Sequence, residues 1–484
     1  MQRFFLPIVL LVTLALVGCP QPKEEPRPDV ILLHSGRIRG NVFPLTLQNI
    51  SPLQHYQYLA GYVKAVRAEA AKSGARVVLV DLGDSLSGSF ASHVTDSMNM
   101  VTFFNEAGYD AVMLSNLDAD VPAGSIAKIR AKVLNPFVGP DGNSTVPGTA
   151  AGVRIDIGGL PVDLLANFYG DTSPQSNPGR FPARFGDVAG GVRPVRDYGP
   201  VVAALGPRPK DGLTLFEWMK FDPADHPPAA FLETLRKAGV DAILAHRIYG
   251  TNQREAWQSS GFVDWSPPVS FNILRNNGGF VLARMDLARD GNGWKVLRHE
   301  LLPMTANKAL PDAGVVKAIE SYSAPITAPD TMLFRLADPV DQERILDIYM
   351  AAVAGIDGTQ AVAYSPDSIR SDWPAGDLRA SGVFNSLPWT SGLVQIPLDA
   401  AQVRQLPSLA GLRVLIPADL TTGPVTVTTS RFFATLIQGK LGLPDDTFVP
   451  LPQSSEFDFF TSYLKSQAAV PSGEFPPGWE MLNP

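Results

Sequence analysis

The sequence contains one cysteine in 484 residues. No intrachain disulfide is therefore possible, and the fold must rest on its hydrophobic cores alone. Histidine is also scarce: there are six, and none lies between His246 and His299. The chain has no G-x-x-x-x-G-K phosphate loop, no G-x-S-x-G elbow and no cysteine placed to act as a nucleophile, which excludes the common nucleotide-loop and serine- or cysteine-hydrolase chemistries. Charge is sparse, at 18% of residues, with a formal net charge of −7. That balance argues against nucleic acid or an anionic membrane surface as the main partner. No internal repeat is visible.

Hydrophobic content, at 45%, is that of a globular protein, and the length calls for two domains. The one long apolar run, Phe4 to Val17, is too short to span a bilayer comfortably but has the length of a signal-peptide core. It ends in Leu16-Val17-Gly18-Cys19, which resembles a bacterial lipoprotein lipobox. The resemblance implies lipidation of Cys19 and a location at the bacterial cell envelope, on the periplasmic or extracellular face. Residues 1–18 would be the signal peptide. Residues 19–29, polar and proline-rich, would be a tether.

From Val30 onward, apolar runs alternate with amphipathic stretches, which predicts an α/β (α+β) architecture. Strands are expected at Val30–Leu33, Arg76–Asp81, Ala111–Leu114, Pro161–Ala166 and Asp241–Ala245. Helices are expected at Leu59–Ala71, Met98–Ala107 and Ala229–Ala238. The first domain spans 30–310. Within it, residues 171–212 are rich in Gly, Pro, Asp and Arg and read as a surface insertion available to a protein partner. Residues 311–335 read as a connector, and a second domain covers 336–484.

Four segments line up in order: "ILLHSGRIRG" (31–40), "VLVDLGDSLSGS" (78–89), "AGYDAVMLSNLDAD" (107–120) and "SIRSDWPAGDLRASGVFNSLPWTSGLVQIPLDAAQVRQL" (368–406). Together they resemble the 5′-nucleotidase family of calcineurin-like metallophosphoesterases. The resemblance implies a four-layer αββα sandwich followed by a smaller α/β domain. It also implies a pair of divalent metals in the strand-end loops of the first domain, which bind phosphate and activate a water.

The ligand positions of that family are mostly lost here. Its first loop carries an Asp and a His as ligands, and those positions hold Arg37 and Arg39. The metal-bridging carboxylate survives as Asp84 and the Asn ligand as Asn116. Leu117 replaces the catalytic histidine, whose carboxylate partner remains as Asp120. A later ligand histidine becomes Ile248, with His246 two residues before it as a possible stand-in, and the final G-H-x-H pair has no counterpart. A guanidinium ~4 Å from a divalent ion, at an effective dielectric of ~20, is repelled by about 8 kcal/mol. Arginine does not deprotonate to escape the conflict. No metal cofactor is therefore expected.

Arg37 and Arg39 are expected to neutralise Asp84 and Asp118, with Arg37 the main partner of Asp84, or in addition to hold a phosphate or carboxylate. In the second domain the family's nucleoside-binding arginine remains as Arg370. Its two base-stacking rings correspond to Trp389 and Phe432. The expected function is non-catalytic binding of a nucleotide, nucleoside or other anionic small molecule. The sequence leaves two alternatives open: an active phosphohydrolase with a rebuilt metal site, and an envelope interaction protein.

Overall fold

The computed structural model describes residues 26–42, 55–115, 118, 121–138, 143–167, 193–195, 197–219, 229–247, 269–273, 281–291, 293–304, 308–444, 447–452 and 455–484. Cys19, Asn116, Leu117, Asp120 and Ile248, and the side chain of His246, lie outside the described residues.

In chain order the main strands of the first domain are Val30–Ser35 (β1), Arg76–Asp81 (β2), Ala111–Met113 (β3), Lys132–Leu134 (β4), Gly152–Ile157 (β5), Leu160–Asn167 (β6), Leu213–Met219 (β7), Ala242–Arg247 (β8), Val269–Ile273 (β9), Val281–Asp290 (β10) and Gly293–Pro303 (β11). They form two sheets, ordered β11-β10-β1-β2-β3-β4 and β9-β8-β7-β6-β5. Every residue of β1 is buried, which is why it reads as a continuous apolar run rather than an alternating one. It pairs parallel with β2 and antiparallel with β10.

Helix α1 (His55–Ser73) covers the first sheet with Tyr56, Leu59, Ala60, Val63, Val66 and Ala70, spaced three and four apart as one helical face requires. Between β2 and β3 in the chain come the short helix α2 (Phe90–Val94) and α3 (Met98–Ala107), which stops where Gly108 adopts the left-handed conformation at φ 72°. In the second sheet β7 divides its faces by parity. Leu213 and Leu215 enter the core between the sheets, and Phe216 and Trp218 enter an outer cluster. Helices α4 (Gly199–Leu205) and α5 (Ala229–Lys237) close that outer cluster through Val201, Val202, Leu205 and Leu235. The result is the four-layer arrangement expected.

Residues 193–212, read from the sequence as part of a surface insertion, behave differently. Val195 and Tyr198 are buried in the outer cluster, Tyr198 donates its hydroxyl to the Ala166 carbonyl at 2.7 Å, and α4 follows directly. The glycines and prolines that suggested a loop sit at the ends of α4, where they start and stop a short helix. The rest of the stretch, 171–192, lies outside the described residues.

The link to the second domain begins with a helix, Ala313–Glu320, whose Val315 and Ile319 belong to the first core. Strand Met332–Leu336 then pairs with Gly376–Arg379. The second domain is built on a six-stranded sheet. Its strands are Ala361–Tyr364 (β12), Leu393–Asp399 (β13), Arg413–Pro417 (β14), Pro424–Ser430 (β15), Val449–Pro450 (β16) and Trp479–Leu482 (β17), ordered β16-β13-β15-β12-β14-β17. Helices α6 (Gln342–Ala354), α7 (Ala380–Ser386), α8 (Arg431–Leu441) and α9 (Glu456–Ser466) pack around it. Phe90 of α2 belongs to this second core. Its ring lies 6.2 Å from both Phe384 and Phe457.

Candidate functional site

The loops after β1 and β2 are laced together by their backbones. Arg37, Arg39 and Gly40 donate their N–H groups to the carbonyls of Gly83, Asp84 and Ser85, at 2.8, 3.2 and 2.8 Å. This pairing forces unusual conformations. Arg37, Arg39 and Asp84 all have positive φ, at 54°, 52° and 59°. For residues with a Cβ that region costs roughly 1–2 kcal/mol each. Such strain persists only where the surroundings fix it. Gly40, at φ 71°, is indispensable, because a Cβ there would collide with the side-chain oxygens of Ser92 and Ser89.

The geometry turns both arginines toward Asp84, but not equally. Arg37 Nε lies 2.9 Å from Asp84 Oδ2, and the two side chains are 9% and 2% exposed. Arg39 Nε stands 3.7 Å from the same oxygen, and its side chain is 32% exposed. Its Nε has no hydrogen-bond acceptor among the described residues. The other oxygen of Asp84 accepts a 3.4 Å contact from the Ser115 hydroxyl. Arg37 is thus the counter-charge of Asp84, as expected, while Arg39 stands farther off with a partly exposed side chain.

Asp118 departs from the expectation. Neither arginine meets it. Its carboxylate accepts the backbone N–H groups of Asp84 at 3.0 Å, Leu86 at 2.9 Å and Ser115 at 2.8 Å. It therefore holds the Asp84 loop in shape from beneath. Burial, together with the nearby charge of Asp84, pushes its pKa up to about 6 against the pull of those amides. Asp81, the last residue of β2, is buried and accepts from the Ser35 hydroxyl at 2.6 Å and from Gly83 N–H at 3.0 Å. Burial raises it to about 7. Glu217 on β7 is fully buried with no partner for either oxygen among the described residues, and burial holds its pKa well above the usual carboxylate range. Sequence reasoning missed Ser115, Asp81 and Glu217. The carboxyls were detectable only as acids inside apolar strand runs, "VLVD" and "LFEW".

In the second domain, Trp389 is half-buried and donates its indole N–H to the Ser368 carbonyl at 2.8 Å. The Arg370 guanidinium lies 4.7 Å above its ring, a cation–π stack. Phe432, at the start of α8, is 48% exposed. The two expected stacking rings thus stand differently: one Trp389 face is already covered by Arg370, and Phe432 offers an open ring. Beneath them lies a buried carboxylate, Glu456. It accepts from Tyr349 at 2.9 Å and Ser391 at 2.7 Å. Burial and the Glu456 charge keep Tyr349 and Tyr364 far above the usual phenol range.

Between the two regions sits His93 of α2. Its ring stacks on Phe384 at 5.3 Å and meets Phe457 edge-on at 5.2 Å, and its Nε2 lies 3.8 Å from Asp458.

No family model matches the sequence, and no curated protein matches it. Solved structures do match in fold. A 5′-nucleotidase precursor from Thermus thermophilus superposes with a TM-score of 0.62 at 16% identity, covering 92% of this chain and 98% of that one. A putative 5′-nucleotidase from Staphylococcus aureus, in complex with alpha-ketoglutarate, gives 0.64 at 12% identity over 92% and 98%. The sulfate thiohydrolase SoxB of Thermus thermophilus, in complex with glycerol, gives 0.59 at 15% identity over 92% and 95%. The chain has the two-domain fold of the 5′-nucleotidases.

That fold implies a dinuclear metal centre, and of the positions the resemblance assigns to it the described residues include Arg37, Arg39 and Asp84. Asp84 there carries Arg37 against Oδ2 rather than a free carboxylate edge. Among the described residues no group of three His, Cys, Asp or Glu side chains is placed to hold a metal ion.

Proposed function

We propose that this 5′-nucleotidase-fold protein binds a phosphate-bearing small molecule of the nucleotide class without hydrolysing it, with Arg39 as the anion contact. The observation that carries the reading is the division of labour between the two arginines. Both are strained and fixed by the loop pairing, but Arg37 is buried against Asp84 at 2.9 Å, whereas Arg39 stands 3.7 Å away with its side chain 32% exposed. A guanidinium held this way loses little entropy on meeting a phosphate, and its planar fork matches phosphate oxygens. Phe432, with the Arg370–Trp389 stack, would receive the base. The lipobox-like segment supports a role at the bacterial envelope, tethered through Cys19.

Calorimetric titration with AMP and adenosine tests the reading. A charged hydrogen bond is worth about 1.5–3 kcal/mol, so Arg39→Ala should weaken AMP by about tenfold or more and leave adenosine unchanged. Phe432→Ala should weaken both. Phosphatase turnover on addition of divalent metal, lost in Asp84→Ala, would instead establish a rebuilt catalytic centre.

A further inference from the structure

A second recess lies far along the chain from the arginine loops, on the outer face of the second sheet. It occupies about 450 Å³ between the C-terminal ends of α4 and α5, over the start of β7. Its floor is formed by Asp163, Leu165 and Thr214, all on the strand faces that look away from the inter-sheet core. Its walls are apolar, mainly Val202, Leu205 and Ala238.

The polar groups of this recess are settled except for two. Asp163 is held by Arg154, through Nε to Oδ1 at 2.6 Å and Nη2 to Oδ2 at 2.9 Å. Arg208 spans the rim and is tied down by the Gly239 carbonyl and Asp241, both at 2.5 Å. Those four charges cancel in pairs. Thr214 is 2% exposed, yet its hydroxyl has no hydrogen-bond partner among the described residues. Buried hydroxyls without partners are uncommon and costly, and they mark a place where something else supplies the bond. Lys237, exposed at the end of α5, has no ion-pair partner among the described residues. Among the described residues it leaves the recess with one uncompensated positive charge, on a stem long enough to swing over it.

We infer that this recess is a binding site, distinct from the arginine site, for a small monocarboxylate with a short apolar body. The carboxylate would accept from the Thr214 hydroxyl and face the Lys237 ammonium. The hydrocarbon would lie along Val202, Leu205 and Ala238. Pockets of a few hundred Å³ with apolar walls and a few convergent polar groups are the usual form of small-molecule sites.

The test is calorimetric titration of the full chain with hexanoate, and with hexanol and hexylamine as neutral and cationic counterparts. Hexanoate should saturate a single site, with both counterparts at least about tenfold weaker. Lys237→Glu should weaken hexanoate by about tenfold or more, and Thr214→Val, which keeps shape and removes the hydroxyl, should do the same. Arg39→Ala should leave it unchanged, which separates this site from the one under Proposed function. Lys237 is exposed, so its variant remains informative if Thr214→Val fails to fold. Three results would each overturn the inference: no saturation up to ~10 mM hexanoate, equal uptake of hexanol, or indifference to both substitutions. The recess would then hold water alone.

Discussion

At the scale of single residues, Arg37 and Arg39 separate two roles that the sequence presents as one. Removing Arg37 strands Asp84 as a buried charge, which typically costs about 3–5 kcal/mol. Chemical denaturation of Arg37→Ala should show a loss of that order. Arg39 is partly solvated, so Arg39→Ala should change stability by less than about 1 kcal/mol. Arg39→Gly should be neutral or stabilising, because it relieves the positive φ. Asp81 makes a pH prediction. Its folded pKa of about 7 stands above its ordinary 3.8, so between those values the folded chain keeps a proton that the unfolded chain has lost. Stability is then greatest at the acid end of that window and falls as pH rises through it, by up to about 1.4 kcal/mol per pH unit. Glu217, raised by burial, adds to the slope with the same sign. Thermal unfolding of Asp81→Asn across pH 4–7 should show a flatter profile than the parent chain; an unchanged slope would mean that Asp81 titrates normally.

At the scale of elements, the short helix α2 carries more than its five residues suggest. It starts with a capping box, in which Ser89 and Ser92 satisfy each other's backbone N–H groups. The Ser89 hydroxyl also reaches the Gly40 carbonyl at 2.7 Å. Phe90→Ala should cost about 3–5 kcal/mol, as for other buried phenylalanines. Because Phe90 belongs to the second core, differential proteolysis should show that domain loosening first. The elements that the sequence revealed best were those with local signals. Met98–Ala107 has its apolar face and Gly108 at its end, and Arg76–Asp81 has its β-branched run. Helix α2 left no such signal. "SFASHV" is too short to show a helical period, and its burial depends on Phe384 and Phe457, nearly 300 and more than 360 residues away in sequence. The Asp118 cradle was hidden for the same reason: its partners are backbone amides brought to it by the fold.

At the scale of the whole molecule, the two-domain architecture was legible because four motifs that resemble those of the 5′-nucleotidases stand in the same order and spacing. The pattern of glycines and apolar strands that makes the scaffold is independent of the side chains that perform chemistry on it. What the order of motifs does not convey is how the halves engage. Asp84, Phe90 and His93 lie within ten residues of one another, the first in the arginine site and the other two among aromatic rings of the far domain. Phe457, which touches both Phe90 and His93, donates its N–H to the carbonyl of Trp389. The two halves of the proposed ligand cradle are consequently geared together. Swinging one lobe about the other would first have to unseat a phenylalanine and an imidazole, and both rings ride on a helix whose capping Ser89 also grips the Gly40 carbonyl, one residue from Arg39.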